Sequence, residues 1–139
     1  MDERCRFCRI AAGDPNEHVV QTEERTVAVL DIEPVHAGHT LVMPRHHVSG
    51  LTDMSGETVR DLYALVRRVA VAIERAVDPA GINAIQSTGQ AAGQDVAHAH
   101  VHVIPRYADD RFGFDPPRRR YADEEAAAIT ERLIDSLPG

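Results

Sequence analysis

Ala97-His98-Ala99-His100-Val101-His102-Val103-Ile104-Pro105 places histidine at every second position of an otherwise small and apolar run. Side chains on a strand alternate between faces, so this spacing predicts a strand with three imidazoles on one face and alanine and valines on the other. One face packs, and the other is polar and open to chemistry. A solvated strand face that happens to be rich in histidine is the plain alternative. It fits poorly with three strict alternations in a chain that has only 8 histidines.

Outward from this run, Ile82-Asn83-Ala84-Ile85-Gln86 alternates like a half-buried strand and leads into a loop carrying Gly89 and Gly93. Upstream, Ser55 to Ala76 opens with Ser55 as N-cap and Glu57 in the first turn, and Val59, Leu62, Val66, Val69 and Ile73 follow at spacings of three and four. That is an amphipathic helix, stopped by Asp78-Pro79-Ala80-Gly81. Val27-Ala28-Val29-Leu30 and Thr40-Leu41-Val42-Met43, bounded by Asp31, Pro34, Gly38 and Pro44, read as strands that pair antiparallel. Beyond the run, Asp109 to Arg120 reads as a loop, and Asp123 as N-cap of a short helix through Ile129 and Leu133 to about Ser136. The expected class is α+β: an antiparallel sheet with one long and one or two short helices. A single domain over residues 1–139 is expected, with a core at about 5–107 and a loop and C-terminal helix over 108–139.

Composition narrows the function. A chain of 139 residues buries roughly two-thirds of its unfolded surface, enough for a core without disulfides. With 15 basic side chains, all arginine, against 22 acidic ones, the net charge of −7 argues against a broad nucleic-acid-binding surface. Arg118-Arg119-Arg120, set between Pro116-Pro117 and Asp123-Glu124-Glu125, reads as a solvated segment, with phosphate capture or a dimer contact as the alternative. Apolar stretches such as Val69-Ala70-Val71-Ala72-Ile73 fall far short of a membrane span, and the start lacks the apolar run of a secretory signal. No membrane partner is expected, and the cytoplasm is the expected compartment.

Imidazole serves equally as a zinc ligand and as a base or nucleophile near neutrality, so the three histidines alone leave the chemistry open. Cys5 and Cys8 form a C-x-x-C, the chain's only cysteines. A two-residue gap lets both thiolates reach one metal ion. A redox pair would follow a strand, which is missing here, and two unligated thiols at a terminus are the plain reading. As a tetrahedral metal site it needs two more ligands, and His47 with one of the three alternating histidines would supply them. A three-imidazole catalytic zinc site is the competing use of the same histidines.

Taken in order, Cys5-x-x-Cys8 with Ile10 and Gly13, Asp31-Ile32-x-Pro34, Gly38-His39-Thr40-Leu41-Val42-x-Pro44 with His47, and Gly93-Gln94 before His98-x-His100-x-His102 resemble the histidine triad (HIT) superfamily from Cys5 to about Tyr107. The resemblance is to its zinc-binding C-x-x-C branch, similar to the HINT-like nucleotide hydrolases. It implies an α+β homodimer and a hydrolase or transferase at the α-phosphate of a purine nucleotide conjugate, of phosphoramidate type, working through a nucleotidyl-histidine. It assigns structural zinc to Cys5, Cys8, His47 and His98, and the nucleophile to His100. His102 would bind phosphoryl oxygens, Gln94 a phosphate or leaving-group oxygen, and the Gly93 loop would add N–H donors. Asp31 would accept from ribose hydroxyls, or serve only as a turn residue, while Leu30 and Ile32 pack against the base. His39 reads as a structural hydrogen-bonder, His36 has a weaker claim, and His46 beside His47 leaves the zinc assignment one residue ambiguous.

Two positions depart from the family pattern: Ser87, where many members carry asparagine, and Asp95, where some carry serine. A carboxylate there weakens phosphate binding unless it turns away or pairs with an arginine such as Arg106. A dinucleoside polyphosphate hydrolase or nucleotidyl transferase using the same His100 is the enzyme alternative. A zinc-stabilised nucleotide-binding or interaction module with little turnover is the alternative from another class.

Overall fold

Near-continuous apolar runs in short strands require cover on both faces, and that requirement organises the structure. A computed structural model describes residues 5–111, 113 and 115–138. Five strands, β1 (Val19–Thr22), β2 (Thr26–Leu30), β3 (Thr40–Pro44), β4 (Gly81–Gln86) and β5 (Val101–Arg106), form one sheet in the order β1-β2-β3-β5-β4. Every neighbouring pair is antiparallel. The helices are α1 (Arg6–Ala11), α2 (Gly56–Val77) and α3 (Glu125–Ser136), so the fold is the expected α+β arrangement with one long helix.

Alternation sorts the strand residues. Ala28, Val42, Val101 and Val103 point to one face and pack against Leu62, Leu65, Val66, Val69 and Ile73 of α2. Val27, Val29, Leu41 and Met43 point to the other and meet Phe7, Ile10 and Ala11 of α1. Helix α2 begins as predicted: the Ser55 hydroxyl accepts from the Thr58 N–H at 3.1 Å, and Glu57 lies in the first turn, where the helix dipole favours an acid. It ends one residue later than expected, on Asp78 in a left-handed conformation.

Four features depart from the sequence-based expectation. Helix α1 and strand β1 were not foreseen: α1 has six residues, too few to show a period, and β1 is half-exposed, with a bulge between Val19 and Gln21. The regular strand of the histidine run starts only at Val101, because the Ala99 N–H is taken by the Val48 carbonyl at 2.7 Å. The alternation nonetheless persists, with Ala99, Val101 and Val103 fully buried. At the tail, Glu124, not Asp123, precedes α3, and it adopts positive φ; the Ala122 N–H is received by the Glu125 carboxylate at 2.9 Å.

Arg118, Arg119 and Arg120 are exposed, and Arg119 reaches Glu125 at 3.1 Å. Helix α3 buries none of its side chains. Among the described residues, no helix is long and apolar enough to cross a membrane.

Candidate active site and metal centre

The start of α1, the residues after β3 and those before β5 converge on one cluster. Cys5 caps α1, Cys8 follows one turn on, His47 lies three residues past β3, and His98 three before β5. The Cys8 sulfur is 3.2 Å from His47 Nδ1 and 3.5 Å from His98 Nδ1, and the Cys5 sulfur is 3.5 Å from His98 Nδ1. All four ligand atoms fall within 4.8 Å of one another. A tetrahedral ion with ordinary metal–sulfur and metal–nitrogen bonds sets S···N edges of roughly 3.6 Å, so the donor set fits such an ion. His98 Nε2–H donates to the Pro44 carbonyl at 2.8 Å, which leaves the Nδ1 lone pair facing the sulfurs. Burial, reinforced by neighbouring imidazoles, pushes the His98 pKa down against the opposing Pro44 bond and keeps the ring neutral. His46 lies outside this cluster, which removes the one-residue ambiguity.

The next histidine faces elsewhere. His100, 5% exposed, donates Nδ1–H to the His98 carbonyl at 2.8 Å, because a carbonyl can only accept. Its Nε2 is therefore the ring's lone-pair nitrogen. Phe7 packs edge-on against this ring at 4.8 Å between centroids and fixes its plane.

His102 is set through His39. The Val35 N–H donates to His39 Nδ1 at 3.1 Å, so the His39 proton sits on Nε2, from which it reaches His102 Nδ1 at 2.9 Å. His102 must then carry its own proton on Nε2. Asp31 Oδ2 lies 3.5 Å from His39 Nε2 and steadies the donor. Burial lowers the pKa of both rings, and for His102 the neighbouring His100 and His39 add to it, opposed by Asp31 and Asp95. The result is a lone pair on His100 beside an N–H on His102.

These two rings border a cavity of about 240 Å3, with Phe7, Ile10, Leu30, Ile32 and Val96 on its apolar side and Asp31 and Asp95 on its polar side. A concave, largely polar hollow with apolar side chains along part of its wall can take a small polar molecule. A larger hollow of about 450 Å3 between β1 and α2, bordered by Arg67, Arg68 and Arg75, holds no histidine or cysteine.

The expected site residues fall as follows. Leu30 and Ile32 border the cavity, as does Asp31, whose Oδ1 also accepts from the Glu33 N–H at 2.9 Å. Asp31 thus holds the turn with one oxygen and keeps the other on the histidine side. The Gln94 amide donates to the Ser49 carbonyl at 2.6 Å and accepts from the Gly89 N–H at 2.8 Å. Ser49 is held in reach by close packing next door, where a side chain on Gly50 would meet Thr88 at 2.6 Å. The Gly93 N–H is engaged by the Gln90 carbonyl at 3.0 Å, and its left-handed φ of 96° turns the chain toward Gln94 and Asp95. Asp95 places Oδ1 3.6 Å from His100 Nε2 with its side chain 77% exposed.

Arg106 is drawn away, to Asp110 at 2.6 Å and Asn83 at 2.5 Å, and His36 Nε2 joins Asp110 at 2.9 Å. Ser87 is half-buried, and neither it nor Gly93 or Gln94 is among the residues that border the cavity. The three triad rings do not converge on one point, since His98 turns its lone pair to the sulfurs and His100 to the cavity. Phe7 and Ile10 were missed because α1 was missed, and Val96 because it lies in the loop before the histidine run. The apolar residues flanking Cys8 were the available signal.

Comparison with known proteins gives the same picture. The HIT domain family model matches residues 13–109. The chain is 34% identical over 135 residues to the adenosine 5′-monophosphoramidase hnt1 of Schizosaccharomyces pombe, covering 96% of this chain and 98% of that one. A crystal structure of a HIT family member from Bacillus subtilis superposes with a TM-score of 0.91 at 35% identity, covering 99% of each chain. A zinc-bound histidine triad family protein from Mycobacterium smegmatis superposes with a TM-score of 0.74 at 35% identity, covering 96% of this chain and 98% of that one.

Proposed function

The chain belongs to the HIT family of nucleotide-handling proteins, and from that premise we propose that it is a nucleotidyl hydrolase acting at the α-phosphate of a purine nucleotide conjugate, of phosphoramidate type, through a nucleotidyl-histidine. The observation that carries this reading is the pair of tautomers: His100 Nε2 offers a lone pair to the cavity beside the His102 Nε2–H.

His100 Nε2 attacks the α-phosphorus in line, the bond to the leaving nitrogen breaks with its electron pair on that nitrogen, and the nitrogen takes a proton from water and departs as the amine. Water then attacks the same phosphorus, the His100–phosphorus bond breaks, and the nucleoside monophosphate is released. His102 Nε2–H donates to a phosphoryl oxygen, where negative charge builds. Gln94 keeps a second amide hydrogen beyond the one given to Ser49, and this hydrogen is the one offered to phosphate or leaving group. Gly93 contributes through the turn that delivers Gln94. Asp31 receives the ribose hydroxyls on Oδ2, and Leu30 and Ile32 pack against the base.

Cys5, Cys8, His47 and His98 would hold a zinc ion, which would supply a structural clamp and no chemistry on the substrate. The donor set and the tautomer of His98 support this assignment. Two cysteines outside any disulfide suit a reducing compartment, which is the cytoplasmic setting of this reading. A homodimer belongs to the same reading, supported by the apolar side chains of the tail: Leu133 at 62%, Ile134 at 61% and Leu137 at 72% exposure. Residues 5–107 with this tail are read as one domain.

Asp95 beside His100 favours one competing reading, a nucleotide-binding module with little turnover. AMP release from adenosine 5′-phosphoramidate separates the two. The wild type turns over, and His100→Ala loses about a thousandfold, roughly 4 kcal/mol of transition-state stabilisation. Nucleotide binding without AMP release by the wild type would favour the module, and equal rates in both proteins would remove His100 from the chemistry.

A further inference from the structure

Asp95 puts a negative charge where an anionic substrate must react, and nothing in the mechanism above uses it. Its Oδ1 is 3.6 Å from His100 Nε2, and its side chain, 77% exposed, stands on the open side of the cavity. The arginine best placed in the sequence to neutralise it, Arg106, is engaged by Asp110 and Asn83. Among the described residues bordering the cavity, the charged side chains other than histidine are Glu17, Asp31, Glu33, Asp95 and one cation, Arg6, which lies 3.9 Å from Glu17. Asp31 is tied to the Glu33 N–H and faces His39. Asp95 is the acid left beside the reacting nitrogen.

Resting on the reading of the preceding section, we propose that Asp95 determines specificity for the charge of the leaving group, favouring amines that depart as cations over polyanionic groups such as a nucleoside polyphosphate. In an in-line displacement one phosphorus separates the attacking from the departing atom. Asp95, with its side chain 77% exposed, has the freedom to turn about two side-chain bonds toward the departing nitrogen. A phosphoramidate nitrogen keeps the electron pair of the broken P–N bond, takes one proton from water to leave as the amine, and takes a second to become the ammonium that an alkylamine is at neutral pH. A carboxylate beside it favours that cation, and a cationic arm on the amine adds to the attraction. A departing pyrophosphate or nucleotide instead gathers negative charge where Asp95 already holds one. Discrimination therefore comes from repulsion of the wrong group as much as from attraction of the right one.

The experiment compares kcat/KM for two AMP phosphoramidates, one with an aminoalkyl and one with a carboxyalkyl arm, and for a diadenosine polyphosphate. The proteins are the wild type, Asp95→Asn, Asp95→Ser and, as a control for net charge, the exposed α2 variant Glu74→Gln. The wild type prefers the aminoalkyl substrate. Both Asp95 variants lower the aminoalkyl-to-carboxyalkyl ratio about tenfold and raise the relative rate on the polyphosphate, while Glu74→Gln leaves both ratios as in wild type. A ratio unchanged in Asp95→Asn and Asp95→Ser, even with all rates reduced, overturns the proposal and leaves Asp95 only orienting His100. A ratio that falls equally in Glu74→Gln overturns it in favour of the overall charge. No turnover of either phosphoramidate by the wild type overturns the parent reading and this one together.

Discussion

One carbonyl and one N–H decide which nitrogen of His100 and of His102 carries the lone pair. The His98 carbonyl fixes His100, and the Val35 N–H fixes His102 by way of His39. His39 thus carries more than the structural hydrogen bond that its place in the sequence suggests. Because burial depresses the pKa of His39 and His102, the unfolded chain binds more protons than the native one in the window just below the ordinary histidine value. Their contribution to stability is fully present above about pH 6.5 and is lost as pH falls toward the lowered native values. Thermal melts from pH 7.5 down to 5.5 are therefore expected to show a falling Tm below about 6.5, with a shallower fall in His39→Gln; a Tm independent of pH in this window would contradict the assignment. The alternating histidines were legible in the sequence because period two is a property of neighbours in the chain. The Asp95–His100 approach was not, since it depends on how a glycine-bearing loop folds back.

At the scale of elements, α2 and the β2–β3 pair were legible because each carries a long period or strong turn punctuation. Helix α1 has neither, and Phe7, Ile10 and Ala11 seat it against β2 and β3. A metal at Cys5, Cys8, His47 and His98 would join α1 to the end of β3 and the approach to β5, adding to the His98–Pro44 and Ala99–Val48 hydrogen bonds already there. The site is thus read as a brace under His100, two residues from the ligand His98. Removing the metal with a chelator, or replacing one ligand as in Cys8→Ser, is expected to lower Tm by about 10 °C or more, with activity declining in step with unfolding. Immediate loss of turnover at unchanged Tm would instead support a catalytic metal on the triad. A second bracket needs no metal. Arg106, the Tyr107 N–H and His36 together hold the Asp110 carboxyl far below the usual carboxylate range, so this link between the loop before β3 and the end of β5 persists into acid.

For the whole molecule, α2 covers one face of the sheet and α1 part of the other, and the cavity lies on the α1 face, beside Phe7 and Ile10 and over β2, β3 and β5. The net charge of −7 gives no general attraction for polyanions, so the nucleotide binding proposed above would rest on local groups, His102 among them, and on the apolar side chains of the cavity. The α+β class was legible from element order, whereas the exposed apolar face of α3 follows from the three-dimensional path of a tail that the family motifs do not reach. The central claim is that His100 becomes covalently bonded to the α-phosphorus, and intact-mass spectrometry of enzyme quenched in alkali during turnover tests it most directly. A nucleotidyl adduct on the peptide carrying His100, acid-labile and absent from His100→Ala, is the expected result; full turnover with no adduct, or an adduct on another residue, would contradict it.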